Sequence, residues 1–198
     1  MTSRYSEAAF ETVIEAHLLA HGYIRINREG FDRARAIFPD TVLEFIRETQ
    51  PVEWEKLQTL HGDKTGEQIL TDLCKWMDAN GSLATLRHGF KCYGRTLRVA
   101  YFKAAHELNP ELEARYGANR VGLTRQLYFS TRSEKSLDVL LSVNGIPVVT
   151  LELKNPLTGK TGRARGNSTN KIGIRGSRSS SSSGERLFTL QSTRSQCL

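Results

Sequence analysis

Residues 136–155, S-L-D-V-L-L-S-V-N-G-I-P-V-V-T-L-E-L-K-N, constrain the fold more than any other stretch of the chain. Two runs rich in Val, Leu and Ile flank an Asn-Gly pair, which is the strongest short-range signal for a β-hairpin. The first arm carries Asp138, and the second arm ends in the E-L-K triplet of residues 152–154. Charged groups in a buried sheet are costly unless they pair with each other or hold a metal. We therefore interpret the end of this hairpin as a functional site.

The pairing register of the hairpin decides whether these charges meet. A two-residue turn at Asn144-Gly145 places Asp138 and Glu152 on opposite faces of the sheet. A three-residue loop with Gly145 as a left-handed bulge residue shifts the register by one and brings Asp138, Glu152 and Lys154 to the same face. Because the site exists only in the shifted register, we predict an odd-length loop or a β-bulge in this hairpin.

The arrangement of Asp138 followed by Glu152-x-Lys154 resembles the D…(D/E)-x-K core of the restriction-endonuclease-like nucleases. An isolated E-x-K occurs by chance about once in a chain of this length, so its place at the end of a hydrophobic strand is what makes it informative. A longer segment resembles the N-terminal nuclease domain of the R (HsdR-type) subunit of type I restriction-modification enzymes. This segment covers residues 143–159 and reads V-N-G-I-P-V-V-T-L-E-L-K-N-P-L-T-G. Two further segments extend the resemblance over residues 5–160, namely L-R-H-G-F-K and A-N-R-V-G-L-T-R-Q.

The resemblance implies a PD-(D/E)xK core of the α/β class, with a mixed sheet flanked by helices. It also implies Mg²⁺-dependent hydrolysis of double-stranded DNA, with Asp138, Glu152 and Lys154 as the catalytic residues. The two carboxylates and the backbone carbonyl of Leu153 would supply the hard oxygen ligands that Mg²⁺ prefers. Lys154 would orient or deprotonate the attacking water and neutralise developing negative charge.

A first helix is predicted from residue 6 to 21, with Phe10, Val13, Ile14 and Leu18 on one stripe. Glu7 and Glu11 lie on adjacent turns of this helix. By resemblance one of them, and Glu11 before Glu7, would help to hold the metal or its water. The alternative is an acidic first turn that is solvated and favoured by the helix dipole.

The positive charge of the chain is concentrated at its C-terminal end. Of the net charge of +7, residues 161–198 contribute seven basic and one acidic residue, which leaves 21 basic and 20 acidic residues in 1–160. DNA affinity of the folded part must therefore come from a local patch. The candidate phosphate contacts are Arg87, Lys91, Arg120 and Arg125, with solvated surface as the alternative.

Two domains are expected: a nuclease domain over residues 1–160, and a basic Ser/Arg/Gly-rich tail over 161–198 with the composition of a disordered segment. The abrupt change of composition after Lys160 predicts a truncation or a change of reading frame, and the alternative is an evolved basic DNA-binding tail. The T-G-K-T-G segment of residues 158–162 lacks the first glycine of a phosphate-binding loop, so no ATP site is expected in this chain. ATP is expected only for the full-length family.

By resemblance the partners are double-stranded DNA and the modification and specificity subunits. The competing function is that of a catalytically silent fragment that binds DNA or docks onto those subunits. No apolar run reaches membrane-spanning length, and the N-terminus lacks the apolar core of a signal peptide. The three cysteines do not have the spacing of metal ligands and fit reduced thiols. The expected location is therefore the cytoplasm, with no membrane partner.

The distribution of apolar residues predicts helices before residue 81 and strands after it. Pro51 is expected at the first position of a helix. Strands are expected at residues 83–86, 97–102 and 121–130, ahead of the hairpin. This order favours a mixed sheet with helices packed on its faces.

Overall fold

The computed structural model describes residues 7–103 and 109–153, and the helices in this part mostly precede the main sheet. The helices are α1 (Glu7–Ala20), α2 (Pro39–Thr49), α3 (Pro51–His61), α4 (Thr65–Asn80), α5 (Ser82–His88) and α6 (Pro110–Gly117). The strands are β1 (Ile24–Arg25), β2 (Phe90–Cys92), β3 (Arg95–Leu97), β4 (Val121–Tyr128), β5 (Ser136–Val143) and β6 (Ile146–Leu151).

The main sheet has the strand order β1-β4-β5-β6. Strand β1 runs parallel to β4, whereas β4 pairs with β5, and β5 with β6, in antiparallel orientation. Strands β2 and β3 form a separate two-stranded antiparallel sheet. A mixed sheet combined with these helices confirms the predicted α/β class.

Two clusters of buried side chains hold the elements together. The larger one joins α2, α3 and α4 to the β2–β3 hairpin and to the start of β6, and its fully buried members include Ile46, Leu57, Leu73, Leu97 and Ile146. The smaller one joins the start of α2 to β4 and β5 through Phe38, Leu127, Leu137 and Leu140. Burial of each large side chain contributes about 1.5–3 kcal/mol. Helix α2 therefore links the helical layer to the sheet.

Proline begins three of the helices. Pro39, Pro51 and Pro110 each lie in the first turn of α2, α3 and α6. Backbone N–H groups in the first turn have no acceptor within the helix, so proline, which lacks an N–H, loses no hydrogen bond there. The fixed φ of proline also suits the first turn. The prediction that Pro51 begins a helix is confirmed.

The predicted strand at residues 83–86 is wrong, because these residues lie within α5. Gly81, with φ of 84°, ends α4, and α5 begins at the next residue. Ser82, Thr85 and Leu86 have the i, i+3, i+4 spacing of one helical face and are all buried, while Leu83 is 49% exposed. An apolar run of four residues does not by itself distinguish a strand from a helix.

The predicted strand at residues 97–102 is shorter than expected, since only its first residue belongs to β3. Beyond it, side-chain amides take the place of a partner strand. Gln50 accepts a hydrogen bond from the backbone N–H of Arg98 and donates one to its carbonyl, both at 2.8 Å. Asn119 does the same for Tyr101. The polar backbone groups are satisfied without a ladder, so no strand forms.

The structure places no helix in the described ranges that is long and apolar enough to cross a membrane.

Candidate active site

The turn of the β5–β6 hairpin has two residues. Val143 pairs with Ile146, and the intervening Asn144 and Gly145 have φ values of 50° and 85°. Positive φ at both central positions is the geometry that favours Asn-Gly in tight hairpins. A side chain at position 145 would also bring its Cβ within 2.6 Å of the carbonyl oxygen of Phe38, so this position requires glycine for space as well as for φ.

A register shift inside the hairpin nevertheless occurs, as the sequence predicts. Ser142 pairs with Pro147, but the next pair along the ladder is Leu141 with Val149, so β6 carries one extra residue at Val148. This is a β-bulge, in which two residues of one strand oppose one residue of its neighbour. The prediction of an odd-length loop or a bulge is confirmed by the bulge, which lies in the strand and not at Gly145.

The bulge puts the two predicted acidic residues into matching register. Beyond it, Val139 pairs with Leu151, the last residue of β6, and Asp138 and Glu152 are the next residues beyond this pair, one on each side of the hairpin. Asp138 Oδ2 accepts a hydrogen bond of 2.6 Å from the backbone N–H of Leu153. The Asp138 carboxylate is thus held beside the chain that follows β6, while Glu152 is exposed.

Strand β4 adds a third residue to this line. Arg125 pairs with Val139 and Leu127 pairs with Leu137, so Gln126 lies at the level of Asp138. Gln126 has a positive φ of 49°, which is rare for a residue with a side chain and often marks functional sites. We call Gln126, Asp138 and Glu152 the site row. Nothing in the residue pattern singles out Gln126, which becomes visible only through the strand register.

Helix α1 approaches the sheet with acidic side chains. Phe10 and Val13 are 57% and 64% exposed, whereas Glu11 and Glu15 are 5% and 6% exposed. Glu11 accepts hydrogen bonds of 2.8 Å from Arg125 Nη2 and from Gln126 Nε2.

Glu15 completes the same network. It accepts 2.8 Å hydrogen bonds from Arg125 Nη1 and Arg25 Nε. Buried carboxylates are tolerated only where cations and hydrogen bonds compensate for lost hydration. The arginines of β1 and β4 therefore decide which face of α1 is buried.

The predicted metal ligands form a partial set in the structure. Asp138, Glu152 and the carbonyl of Leu153 are hard oxygen donors, and Mg²⁺ commonly takes only one or two carboxylates, with water and phosphate completing its shell. This donor chemistry fits Mg²⁺. Both carboxylate oxygens of Glu11 are already hydrogen-bonded. The described residues contain no group of three or more His, Cys, Asp or Glu side chains that could hold a metal ion.

Several other predicted features lie outside the described residues. Lys154 and the tail of residues 161–198 are among them. Glu7 begins α1, but its side chain is not described. The roles of Lys154 and Glu7, and the domain boundary at residue 160, stay predictions.

The four predicted phosphate contacts differ in their surroundings. Arg120 binds the carboxylates of Glu44 and Glu48 at 2.7 Å, and Arg125 lies in the α1 network. Arg87 and Lys91 are exposed and form no ion pair within residues 7–103 and 109–153. Their side chains are therefore more accessible to an external anion than those of Arg120 and Arg125. Contact of all four residues with DNA stays a prediction.

The α1 network predicts a loss of stability in acid. Burial by itself would raise the pKa of Glu15, but the hydrogen bonds and charges of Arg125 and Arg25 outweigh it, so the pKa lies below the ordinary value of 4.5. A depressed folded-state pKa stabilises the protein above the unfolded-state pKa, and this contribution disappears as the pH falls through the folded-state value.

We therefore expect the free energy of unfolding to decline below about pH 4.5, and Glu15→Gln to flatten this decline. Urea unfolding of both proteins between neutral and acidic pH measures the effect. A stability difference between parent and variant that stays constant with pH would contradict it.

A comparison with protein families gives a match over most of the chain. The model of the type I restriction enzyme R protein N terminus matches residues 4–172 of the 198 residues. This range begins before α1 and extends past the β5–β6 hairpin and its E-L-K triplet. Searches of curated proteins and of solved structures found no match. The chain belongs to the family of the type I restriction enzyme R protein N terminus.

Proposed function

We propose that this R-protein N-terminal region is a Mg²⁺-dependent endonuclease domain that hydrolyses phosphodiester bonds of double-stranded DNA. The observation that supports the proposal is the β-bulge at Val148, because it shifts the register by the one residue that Asp138 and Glu152 need to share a face, in a chain of the restriction enzyme family. The bulge leaves Val148 without a partner on β5. Bulges are common next to active sites, where they redirect a side chain.

The residues of the site divide the chemistry between them. Asp138 is oriented by the backbone N–H of Leu153, and its second oxygen makes no hydrogen bond to the described residues, so it can bind a ligand. Glu152, the first residue after β6, would add negative charge. When bound, Mg²⁺ would polarise the phosphate and favour ionisation of a water molecule. Lys154, two residues after Glu152, would orient or deprotonate that water and offset the charge of the transition state.

Nicking of supercoiled plasmid in the presence of Mg²⁺ tests the proposal. We expect Glu152→Gln and Lys154→Ala to lower the nicking rate by at least about a hundredfold, the lower range for removal of one acid–base or electrostatic group. Glu55→Gln is the matched control, because Glu55 is also an exposed glutamate but lies on α3. Circular dichroism confirms that each variant is folded.

Metal binding separates the roles of the residues. In calorimetric titration with Mn²⁺ as the probe, Asp138→Ala should lose both binding and nicking, whereas Lys154→Ala should keep binding and lose only nicking. ATP should not change the rate. Undiminished cutting by either variant would exclude the assigned site, and a folded parent that never nicks would favour the silent alternative, a fragment that binds DNA or docks onto the modification and specificity subunits.

A further inference from the structure

Two exposed arginines, Arg28 and Arg33, lie against the same aromatic ring at the end of β4. Their guanidinium carbons are 5.6 Å and 5.8 Å from the ring centroid of Tyr128. Arg28 also donates a long hydrogen bond of 3.5 Å to the carbonyl of Gln126, and Arg33 donates one of 3.4 Å to the carbonyl of Ser130. Each guanidinium has five N–H donors, so these contacts fix its position and occupy little of its bonding capacity.

The charge of this pair is not neutralised by the protein. Neither arginine forms an ion pair with any residue of the described part of the chain, in contrast to arginines that each bind a carboxylate: Arg25, Arg35, Arg95, Arg120 and Arg125. The neighbouring Glu29 side chain accepts a hydrogen bond from Asn27. A tyrosine face attracts cations but carries no net charge. Two cations held on one ring therefore favour an anionic ligand.

The position of the pair relates it to the site row. Tyr128 follows Gln126 by two residues on β4 and pairs with Ser136, which precedes Asp138 by two residues on β5. Two residues of a strand span about 7 Å. The arginine pair thus lies one strand repeat away from the row that contains Asp138, at the same end of the sheet.

We infer that Arg28 and Arg33, stacked on Tyr128, form a binding site for the phosphodiester backbone of duplex DNA beside the site row. The inference rests on the proposed function, because it takes DNA as the substrate. Guanidinium groups bind phosphate oxygens with two parallel N–H donors, and stacking on an aromatic ring reduces the freedom lost on binding. Contacts of this type position the duplex without reading its sequence.

The test is binding of a short fluorescent duplex to the whole chain, measured by anisotropy in EDTA over a range of salt concentrations. We expect the double variant Arg28→Ala/Arg33→Ala to bind about tenfold more weakly at low salt, and the slope of log K against log salt to fall by about 2 in magnitude. Arg28→Lys/Arg33→Lys should keep the parental salt slope, because it keeps both charges.

Arg47→Ala is the matched control. Arg47 is also exposed and stacked on an aromatic ring, 4.5 Å from the centroid of Trp54, but it lies in the last turn of α2. It lies about 12 Å along that helix from Pro39, which follows the contact of Phe38 with the end of the sheet. We expect the affinity of the Arg47→Ala variant for the duplex to remain within about twofold of that of the parent.

Three outcomes would overturn the inference: parental affinity in the double alanine variant, an equal loss in Arg47→Ala, or no salt-dependent binding by the parent. Failure of the nuclease proposal is distinguishable from these. If no protein nicks DNA but only the double alanine variant loses affinity, the phosphate site stands and the nuclease proposal falls.

Discussion

Replacing Arg125 with methionine is expected to lower the free energy of unfolding by about 3–5 kcal/mol. The substitution keeps much of the side-chain volume but removes the cation shared by Glu11 and Glu15. Those carboxylates have only 6% and 8% of their side-chain surface exposed, so water cannot replace the lost partner. Glu11 would keep only the hydrogen bond from Gln126, and Glu15 only the ion pair with Arg25. The cost of removing one partner from buried charges exceeds the net contribution of the ion pairs themselves.

Arg120→Met provides a matched control because Arg120 also bridges two glutamates. Its own exposure of 32% is close to the 28% of Arg125, but Glu44 and Glu48 are 58% and 52% exposed. Solvated acids lose little when a partner is removed, so the expected loss is below about 1 kcal/mol.

Urea unfolding of the parent and both single variants measures the difference. Adding Glu11→Gln and Glu15→Gln to Arg125→Met should restore part of the stability, since neutral amides no longer require the cation. Equal losses for Arg125→Met and Arg120→Met would show that burial of the acids does not decide the energetics.

The second large effect is expected at Asn144, whose replacement with alanine should cost about 3 kcal/mol. Asn144 is completely buried in the hairpin turn. Its Nδ2 donates hydrogen bonds of 2.9 Å to the carbonyl of Val99 and to Asn119 Oδ1, and its Oδ1 accepts one of 2.7 Å from the N–H of Arg120. Truncation leaves several buried polar groups without a partner.

Asn144→Gly separates the two contributions of this side chain. Glycine adopts the positive φ of 50° without strain, so the stability lost in Asn144→Gly reflects the missing hydrogen bonds. The additional stability lost in Asn144→Ala reflects the backbone strain of alanine at this φ. Asn80→Ala is the control, because its Nδ2 makes one exposed hydrogen bond to the carbonyl of Trp76. We expect less than about 1 kcal/mol there, and Asn144→Gly matching the parent would contradict the assignment.

The hairpin of β5 and β6 was predictable because its signals are local. Alternating apolar residues and an Asn-Gly pair determine two strands and a tight turn, and the charges at positions 138 and 152 then demand a common face. The need for a shift in register followed from that demand. Its position at Val148 did not, because Val148 packs against the larger cluster, whose members come from distant parts of the chain.

Helix α1 shows the limit of reasoning from periodicity. Its apolar residues lie on one stripe, yet Phe10 of that stripe is exposed and Glu11 is buried. The stripe depends only on the sequence of the helix, whereas the face that is buried depends on the arginines of β1 and β4. Arg125 lies 114 residues from Glu11 and 110 residues from Glu15 in sequence, so no local pattern reveals these pairs.

The sequence by itself determined the α/β class, the central hairpin, the acids at positions 138 and 152, and the resemblance to a family that the comparison then confirmed. These features depend on residue types a few positions apart, where backbone geometry fixes the outcome. The tertiary structure decided which arginines are neutralised by carboxylates and which, like Arg28 and Arg33, are not. Ion pairing and burial depend on distances between residues far apart in the chain, and only folding sets those distances.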